Sequence, residues 1–412
     1  MQTAVDDDYD QTAMTVENGA GGLVGRKPVA DGSESEEPED RSVGYLELFF
    51  DLTFVFAMSQ VTHLMLHDIS WLGFGRGALA LLALWWAWVC YSWLTNMFEI
   101  AQVTHTATMI TAMAAMLVAV TALPTAFTTG ALVFALALLA VRLINAGLFL
   151  AAASRGEAEL TSAIRRLVPG LLVGPALIVA GAFLPSPYRE MLWIVAAVAD
   201  FGSPLIAGIN ELRVVPSYFV HRHGLVIIIA LGEAIIALGA GASESVHHPG
   251  VLGAVVLGIL ITGTMWWTYF GLTTGAEERL RLTPAAERAQ LARDAYSYLH
   301  LPLVAGIVFF ALGARVSVEH IDEPLPPLAA LALTGGVALF YAGEVAYRWR
   351  DHRQLIVDRL LTATAALLVY PLATSAPALV SLAVLTVIGV IRLAWELWRG
   401  SPIDSDTVRL GW

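Results

Sequence analysis

The 412-residue chain is poor in charge and nearly devoid of cysteine. Charged side chains make up 14% of it, whereas 57% is hydrophobic. Counting the 35 glycines raises the apolar share to about 65%, against roughly 45–50% in soluble domains counted the same way. That imbalance excludes a soluble globular enzyme, a disordered chain and a nucleic-acid binder. The single cysteine, Cys90, excludes an intramolecular disulfide and any disulfide scaffold, and leaves the redox compartment unconstrained. Strand signals are missing too, as are a GxSxG elbow, a Walker loop, a dinucleotide fingerprint and an HExxH pair. What remains, with a mean hydropathy of +0.68 over the whole chain, is the signature of an all-α, polytopic integral membrane protein.

The net charge of −12 is not spread evenly. Residues 1–40 hold eleven acids against Arg26 and Lys27, a balance of −9, so the rest of the chain carries only −3. The segment 1–42 is rich in Gly, Ser, Glu, Asp and Pro and is expected to be a disordered acidic cytoplasmic tail, since it cannot bury enough surface to fold. It lacks the basic start and apolar run of a signal peptide. A solvated tether and a docking tail both fit, the tether better, because acidic runs of this kind are commonly just solvated. A helical membrane domain over 43–400 and a short cytoplasmic tail over 401–412 complete the expected organisation.

Beyond Arg41 the chain becomes a series of apolar runs of roughly 20 residues, the length that crosses a bilayer. About twelve spans are expected, near 44–64, 77–97, 104–125, 129–151, 166–184, 190–210, 224–241, 250–272, 299–318, 325–347, 355–373 and 377–397. The polar stretch from Thr273 to Arg293 separates the eighth from the ninth and has room for a short amphipathic helix over Pro284–Arg293. With both termini inside, 18 of the 23 basic residues fall in cytoplasmic segments, Arg222 and Arg359 among them. Only Arg76, Arg189 and Arg315 fall outside. This positive-inside bias places both termini in the cytoplasm of a protein of the cell (inner) membrane.

The halves resemble each other. The first span carries Glu47 and Asp51 and the seventh carries Glu233; Trp85-Trp86 in the second answer Trp266-Trp267 in the eighth. His105 and His300 open the third and ninth spans, and basic loops follow the fourth and tenth. Six spans per half is an even number, so such a repeat would be a parallel six-plus-six arrangement.

Four blocks point to a family. They are Tyr45-Leu46-Glu47-Leu48-Phe49-Phe50-Asp51-Leu52-Thr53-Phe54-Val55-Phe56-Ala57, the span from Trp85 to Asn96 (WWAWVCYSWLTN), the run from Arg222 to Glu233 (RHGLVIIIALGE), and that from Ala295 to Ile307 (AYSYLHLPLVAGI). In that order they resemble the bacterial low-temperature-requirement A (LtrA) family, and the resemblance covers 43–397. Two positions depart from the family pattern: His221 stands where the family has Glu, and Gly271 follows Phe270 where it has an acid. Either departure would suit a specialised paralogue with an altered site. The family name records a cold-growth phenotype, so the resemblance implies a membrane protein tied to stress response and no particular reaction.

Ionisable side chains inside a bilayer cost roughly 2.5–3.5 kcal/mol each on insertion scales and so face the bundle interior. Here they are Glu47, Asp51, His63, His105, Arg142, Asp200, Glu233, Glu344 and Arg392, with His223 and His300 at span ends. Glu47 and Asp51 share one helix face and need a cation or a shared proton, for which His223, His300 and Arg142 are candidates. Asp200, followed by Gly202 and Pro204, lies where a span is expected to kink or unwind, the kind of place where transporters bind substrates. The expected site is one cytoplasm-facing cavity holding Glu47, Asp51, His223, Glu233 and His300, with Asp200 and Arg142 as further coupling candidates. Interhelical hydrogen bonds that merely fix packing are the plainer alternative for each.

The preferred function is a proton- or ion-coupled secondary transporter of a small molecule or ion, its partner the lipid bilayer. The alternatives are an intramembrane enzyme, metal- or haem-assisted through His105, His223 and His300, and a stress-response scaffold read out through the acidic tail. No metal-ligand spacing is present, no cofactor is identified, and substrate and oligomeric state are not encoded legibly. The tryptophan clusters read as interfacial or packing aromatics, with ligand stacking the lesser reading.

Overall fold

The computed structural model describes residues 41–98, 103–154, 158–243, 245, 247–271, 275–353 and 355–399. Residues 1–40 of the expected acidic tail and the C-terminal tail expected at 401–412 lie outside the described residues. Among those described, every element is helical, as the continuous apolar runs require: in lipid a backbone must satisfy its hydrogen bonds within its own segment. Among the described residues, eleven helices are long and apolar enough to cross a membrane.

The first six are α1 (Tyr45–His67), α2 (Trp71–Met97), α3 (Val103–Ala122), α4 (Ala131–Ala153), α5 (Ala158–Ala182) and α6 (Tyr188–Ala207). There follow α7 (Pro216–Ala242), α8 (Pro249–Phe270), the short α9 (Ala276–Leu282) and α10 (Ala285–Ala292), α11 (His300–Glu319) and α12 (Pro327–His352). The chain closes with α13 (Val357–Leu368), α14 (Tyr370–Ala373) and α15 (Ala378–Trp398). The amphipathic helix expected over Pro284–Arg293 is α10, joined to α11 by a π-helical turn at Arg293–Tyr298. The run expected to span at 355–373 is interrupted at Val369, with Pro371 in the next turn. A proline cannot donate the amide bond that would continue the ladder.

The contacts between helices repeat. In the first half α1 packs on α2 and α3, and α3 on α4; α4 packs on α5, α5 on α6, and α2 on α6. In the second half α7 packs on α8 and α11, and α11 on α12; α12 packs on α13, α13 on α15, and α8 on α15. Equating α1 with α7, and so on in order, maps these contacts onto one another, as a doubled six-helix unit would. The match is incomplete: α2 on α4 in the first half, and α11 on α8 and α15 in the second, have no counterpart of like extent. The largest contact between the halves is α1 against α7, with α1 on α11 and α2 on α7 and α11 beside it.

Small residues set the closest approach in the second half. A Cβ on Gly313 would lie 2.3 Å from the Leu333 amide nitrogen, and one on Gly336 2.3 Å from that of Phe310. The backbones of α11 and α12 therefore touch, the packing that replaces the hydrophobic effect where lipid is as apolar as leucine. Two charges expected in cytoplasmic segments are instead enclosed. Arg222 lies in the second turn of α7 with 0% exposure, and Arg359 in the first turn of α13 with 2%. Helices starting at Pro216 and Val357, earlier than hydropathy suggests for Arg222, draw them inside.

Candidate functional site at the seam of the first and seventh helices

The seam begins with α1. Gly44 is the N-cap residue, and its amide donates to the Glu47 carboxylate at 2.6 Å, the N3-to-N-cap half of a capping box, which fixes the helix entry. Arg41 lies 3.6 Å from the same carboxylate and 4.6 Å above the Tyr218 ring. One turn further, Asp51 meets Arg222 of α7 at 3.0 Å, both fully enclosed, and the Trp88 indole donates to the same Asp51 oxygen at 3.0 Å. The relief expected for these carboxylates from His223, His300 or Arg142 is thus supplied by Arg41, Arg222 and Trp88. Asp51 and Arg222 stand at the seventh position of their helices, so the repeat places them at equivalent points facing each other across the seam.

The histidines adjoin this pair without neutralising it. His223 contacts Trp88 edge-on, with ring centres 5.0 Å apart, and His300 at 5.2 Å. Each donates through Nδ1 to a backbone carbonyl, Phe219 for His223 and Ala295 for His300. A carbonyl only accepts, which fixes that ring nitrogen as the protonated one. The free Nε2 of His300 then accepts from the Tyr269 hydroxyl at 2.9 Å. Tyr296 stacks on His300, and Tyr347 donates to the Tyr296 hydroxyl at 3.1 Å. His223 and His300 are in edge-on ring contact, and the hydrogen bonds of His300 engage both of its ring nitrogens. Among the described residues no group of three or more His, Cys, Asp and Glu is placed to hold a metal ion.

Several polar atoms here have no hydrogen-bond partner: Oδ2 of Asp51, Nε and Nη1 of Arg222, and Nε2 of His223. A buried network only partly satisfied is costly. Glu233 lies on the same seam but in another layer. It is enclosed, and its partner is the Ser59 hydroxyl of α1. Ser59 is eight residues beyond Asp51, about 12 Å along the axis, so Glu47, Asp51, His223 and His300 form one connected set and Glu233 stands apart from it.

Arg142 and Asp200 form a different structure. Arg142 of α4 pairs with Asp200 of α6 at 2.8 Å and donates twice to the Leu171 carbonyl, once to that of Trp86 and once to Cys90 Sγ at 2.6 Å. All five of its N–H groups are used. The α6 helix continues through Pro204 to Ala207 without unwinding, and Asp200 is buried rather than solvated. Gly174 of α5 makes the room, since a Cβ there would lie 2.4 Å from the Asp200 carboxylate. Four helices are tied at one point, the geometry of an interhelical clamp. Asp200 and Arg142 therefore do not join the seam.

The tryptophans are largely internal. Trp85, Trp86, Trp88 and Trp93 are all buried. Trp85 and Trp93 donate to the carbonyl and hydroxyl of Ser297 in the π-helical turn, while Trp266 is 47% exposed on the bundle surface. Arg222 is the residue sequence reasoning missed. The available signal was its adjacency to His223 within an otherwise apolar run.

Residues 42–394 match the family described as Bacterial low temperature requirement A protein (LtrA). An uncharacterized protein of Rhizobium meliloti (strain 1021) is 29% identical over 381 residues, covering 88% of this chain and 90% of that one. No solved structure matches.

Proposed function

Since the chain belongs to the bacterial low temperature requirement A family, whose name fixes no reaction, we propose from the seam itself that it is a proton- or ion-coupled secondary transporter of the cell membrane. The observation that carries this reading is the pair of buried carboxyls at two depths of the α1–α7 seam, one held by a guanidinium and the other by a hydroxyl. Asp51 cannot lose its charge without stranding Arg222, and breaking a buried pair costs about 3–5 kcal/mol. Glu233 has no such constraint: its charge can change while its Ser59 contact persists. Glu233 is thus the ion- or proton-carrying group, and the Asp51–Arg222 pair, with its unused donors and acceptor, is where a small polar substrate engages.

The doubled architecture supports the same reading. Two six-helix units meeting along one seam can rock about it, opening one end and then the other, which is how repeat-built transporters alternate access. His223 and His300, packed against the pair, would move with it. With both termini cytoplasmic, Glu47 and Arg41 stand at the inner mouth. Membrane-embedded ionisable groups that pair across helices are in general features of ion pathways.

The test needs no substrate. Purified protein in proteoliposomes adsorbed on a solid-supported membrane is given a jump in external pH. Wild type is expected to give a transient displacement current as protons enter the buried site. Glu233→Gln should remove at least nine-tenths of it, while Asp51→Asn should retain the current and alter its pH dependence. No current in wild type, or an undiminished current in Glu233→Gln, overturns the proposal.

A further inference from the structure

A second buried ionic cluster lies away from the seam, where α12, α13 and α15 meet. Glu344 of α12 is 1% exposed, and neither of its carboxylate oxygens accepts a hydrogen bond. Its charged neighbours are Arg348, Arg359, Arg392 and Glu396. Glu396 bridges two of the arginines, at 3.3 Å to Arg359 and 2.9 Å to Arg392. With Asp358, which faces Arg359, three guanidiniums meet three carboxylates, and Arg399 at an adjoining groove adds the positive charge in excess. Arg392 lies 5.5 Å from the centre of the Tyr341 ring, is 5% exposed, and makes no hydrogen bond through Nε or Nη2.

Arg392 also borders a groove between α13 and α15 with an empty volume of about 1080 Å³ including its open mouth. Leu361, Ala365, Ile388 and Ile391 wall it; Arg399 and Asp358 line it as well. The Arg399 guanidinium lies 3.8 Å above the Trp395 ring. Arg392 and Arg399 are seven residues apart, two helical turns, and so share a face of the helix end at about 10 Å separation along the axis. Two long side chains can converge on one group across that distance.

We propose that this groove is a binding site for an anionic phospholipid, its phosphate held by Arg392 and Arg399 and an acyl chain laid along the apolar wall. Three features select this occupant. The wall is mainly aliphatic, and its one hydroxyl, on Thr362, is spent on the Asp358 carbonyl, so it offers a polar solute little. The net cationic end, with hydrogen-bond donors of a buried arginine unused, matches a phosphate, for which guanidinium is the preferred partner. A tryptophan–arginine pair at the end of a spanning helix belongs at head-group depth, and basic pockets between such helices on the cytoplasmic side bind anionic head groups. Asp358 disfavours a bare anion at the mouth, so a phosphate is held there only when a tail in the groove anchors it, and both the anionic head group and the tail are needed.

The full chain, purified in a neutral detergent, is titrated with dioleoyl phosphatidylglycerol, dioleoyl phosphatidylcholine, or inorganic phosphate. Thermal unfolding and native mass spectrometry are read for each. Phosphatidylglycerol is expected to raise the unfolding midpoint by several degrees and remain bound at one molecule per chain, while the other two do neither. Arg399→Gln and Ala365→Trp leave the buried cluster intact, and each should weaken phosphatidylglycerol retention tenfold or more. Equal stabilisation by phosphatidylcholine, full stabilisation by inorganic phosphate, or retention unchanged in both variants would each overturn the proposal.

Discussion

Removing the Asp200 carboxylate tests whether the Arg142 junction is a clamp or a working site. Asp200→Ala leaves a guanidinium with 2% side-chain exposure facing two carbonyls and a thiol. With charge centres about 4 Å apart and an effective dielectric constant of about 20, the lost attraction is about 4 kcal/mol. That agrees with the roughly 3–5 kcal/mol found when one partner of a buried pair is deleted. The double substitution Arg142→Met with Asp200→Leu removes charge and counter-charge together, and should recover most of the loss, because apolar replacements of buried pairs are often neutral. Gly174→Ala reaches the same junction from α5 by pushing a methyl group into the carboxylate, and should cost about 1–3 kcal/mol as overpacking. Unfolding in mixed micelles, followed by tryptophan fluorescence, gives the three values. A loss under about 1 kcal/mol for Asp200→Ala, the size of an ordinary surface change, would refute the clamp. A double variant no more stable than the single one would refute it too.

Other consequences follow from the same packing. Cys90 is buried against Arg142, so a maleimide should leave it unlabelled in the native protein and label it fully once unfolded. Gly313→Ala drives a methyl into the Leu333 backbone; it should lower stability by about 1–3 kcal/mol and loosen α11 from α12, seen as faster amide exchange in both. Reporter fusions after Ser245 and Leu280 should report opposite sides of the membrane, outside and inside respectively; a shared side would break the span assignment between them.

The membrane fold was legible because apolar length is the constraint lipid imposes most strongly. The identity of the costly residues was legible for the same reason: Glu47, Asp51, His223, Glu233 and His300 all prove enclosed. Their partners were not. Asp51 and Arg222 lie 171 positions apart, and α1 and α7 carry apolar residues on every face, so no periodicity says which face meets which. Arg222 read as a loop charge because it sits six residues inside a helix whose first turns are not strongly hydrophobic. Arg142 and Asp200 were each visible as expensive and invisible as a pair, being 58 residues apart. Glu344 and Arg392 stood out singly, but Arg359 and Glu396, which join them, lie at span ends where charge is ordinary.

The claim at the centre of this account is that Glu233 changes its protonation within the folded seam while Asp51 remains paired. Infrared difference spectroscopy on the membrane-reconstituted protein reads that event directly, through the carbonyl stretch of a protonated carboxylic acid. The account predicts a band that grows as pH falls, shifts in heavy water, is absent from Glu233→Gln and persists in Asp51→Asn. A band unchanged in Glu233→Gln, or one lost only in Asp51→Asn, would contradict it.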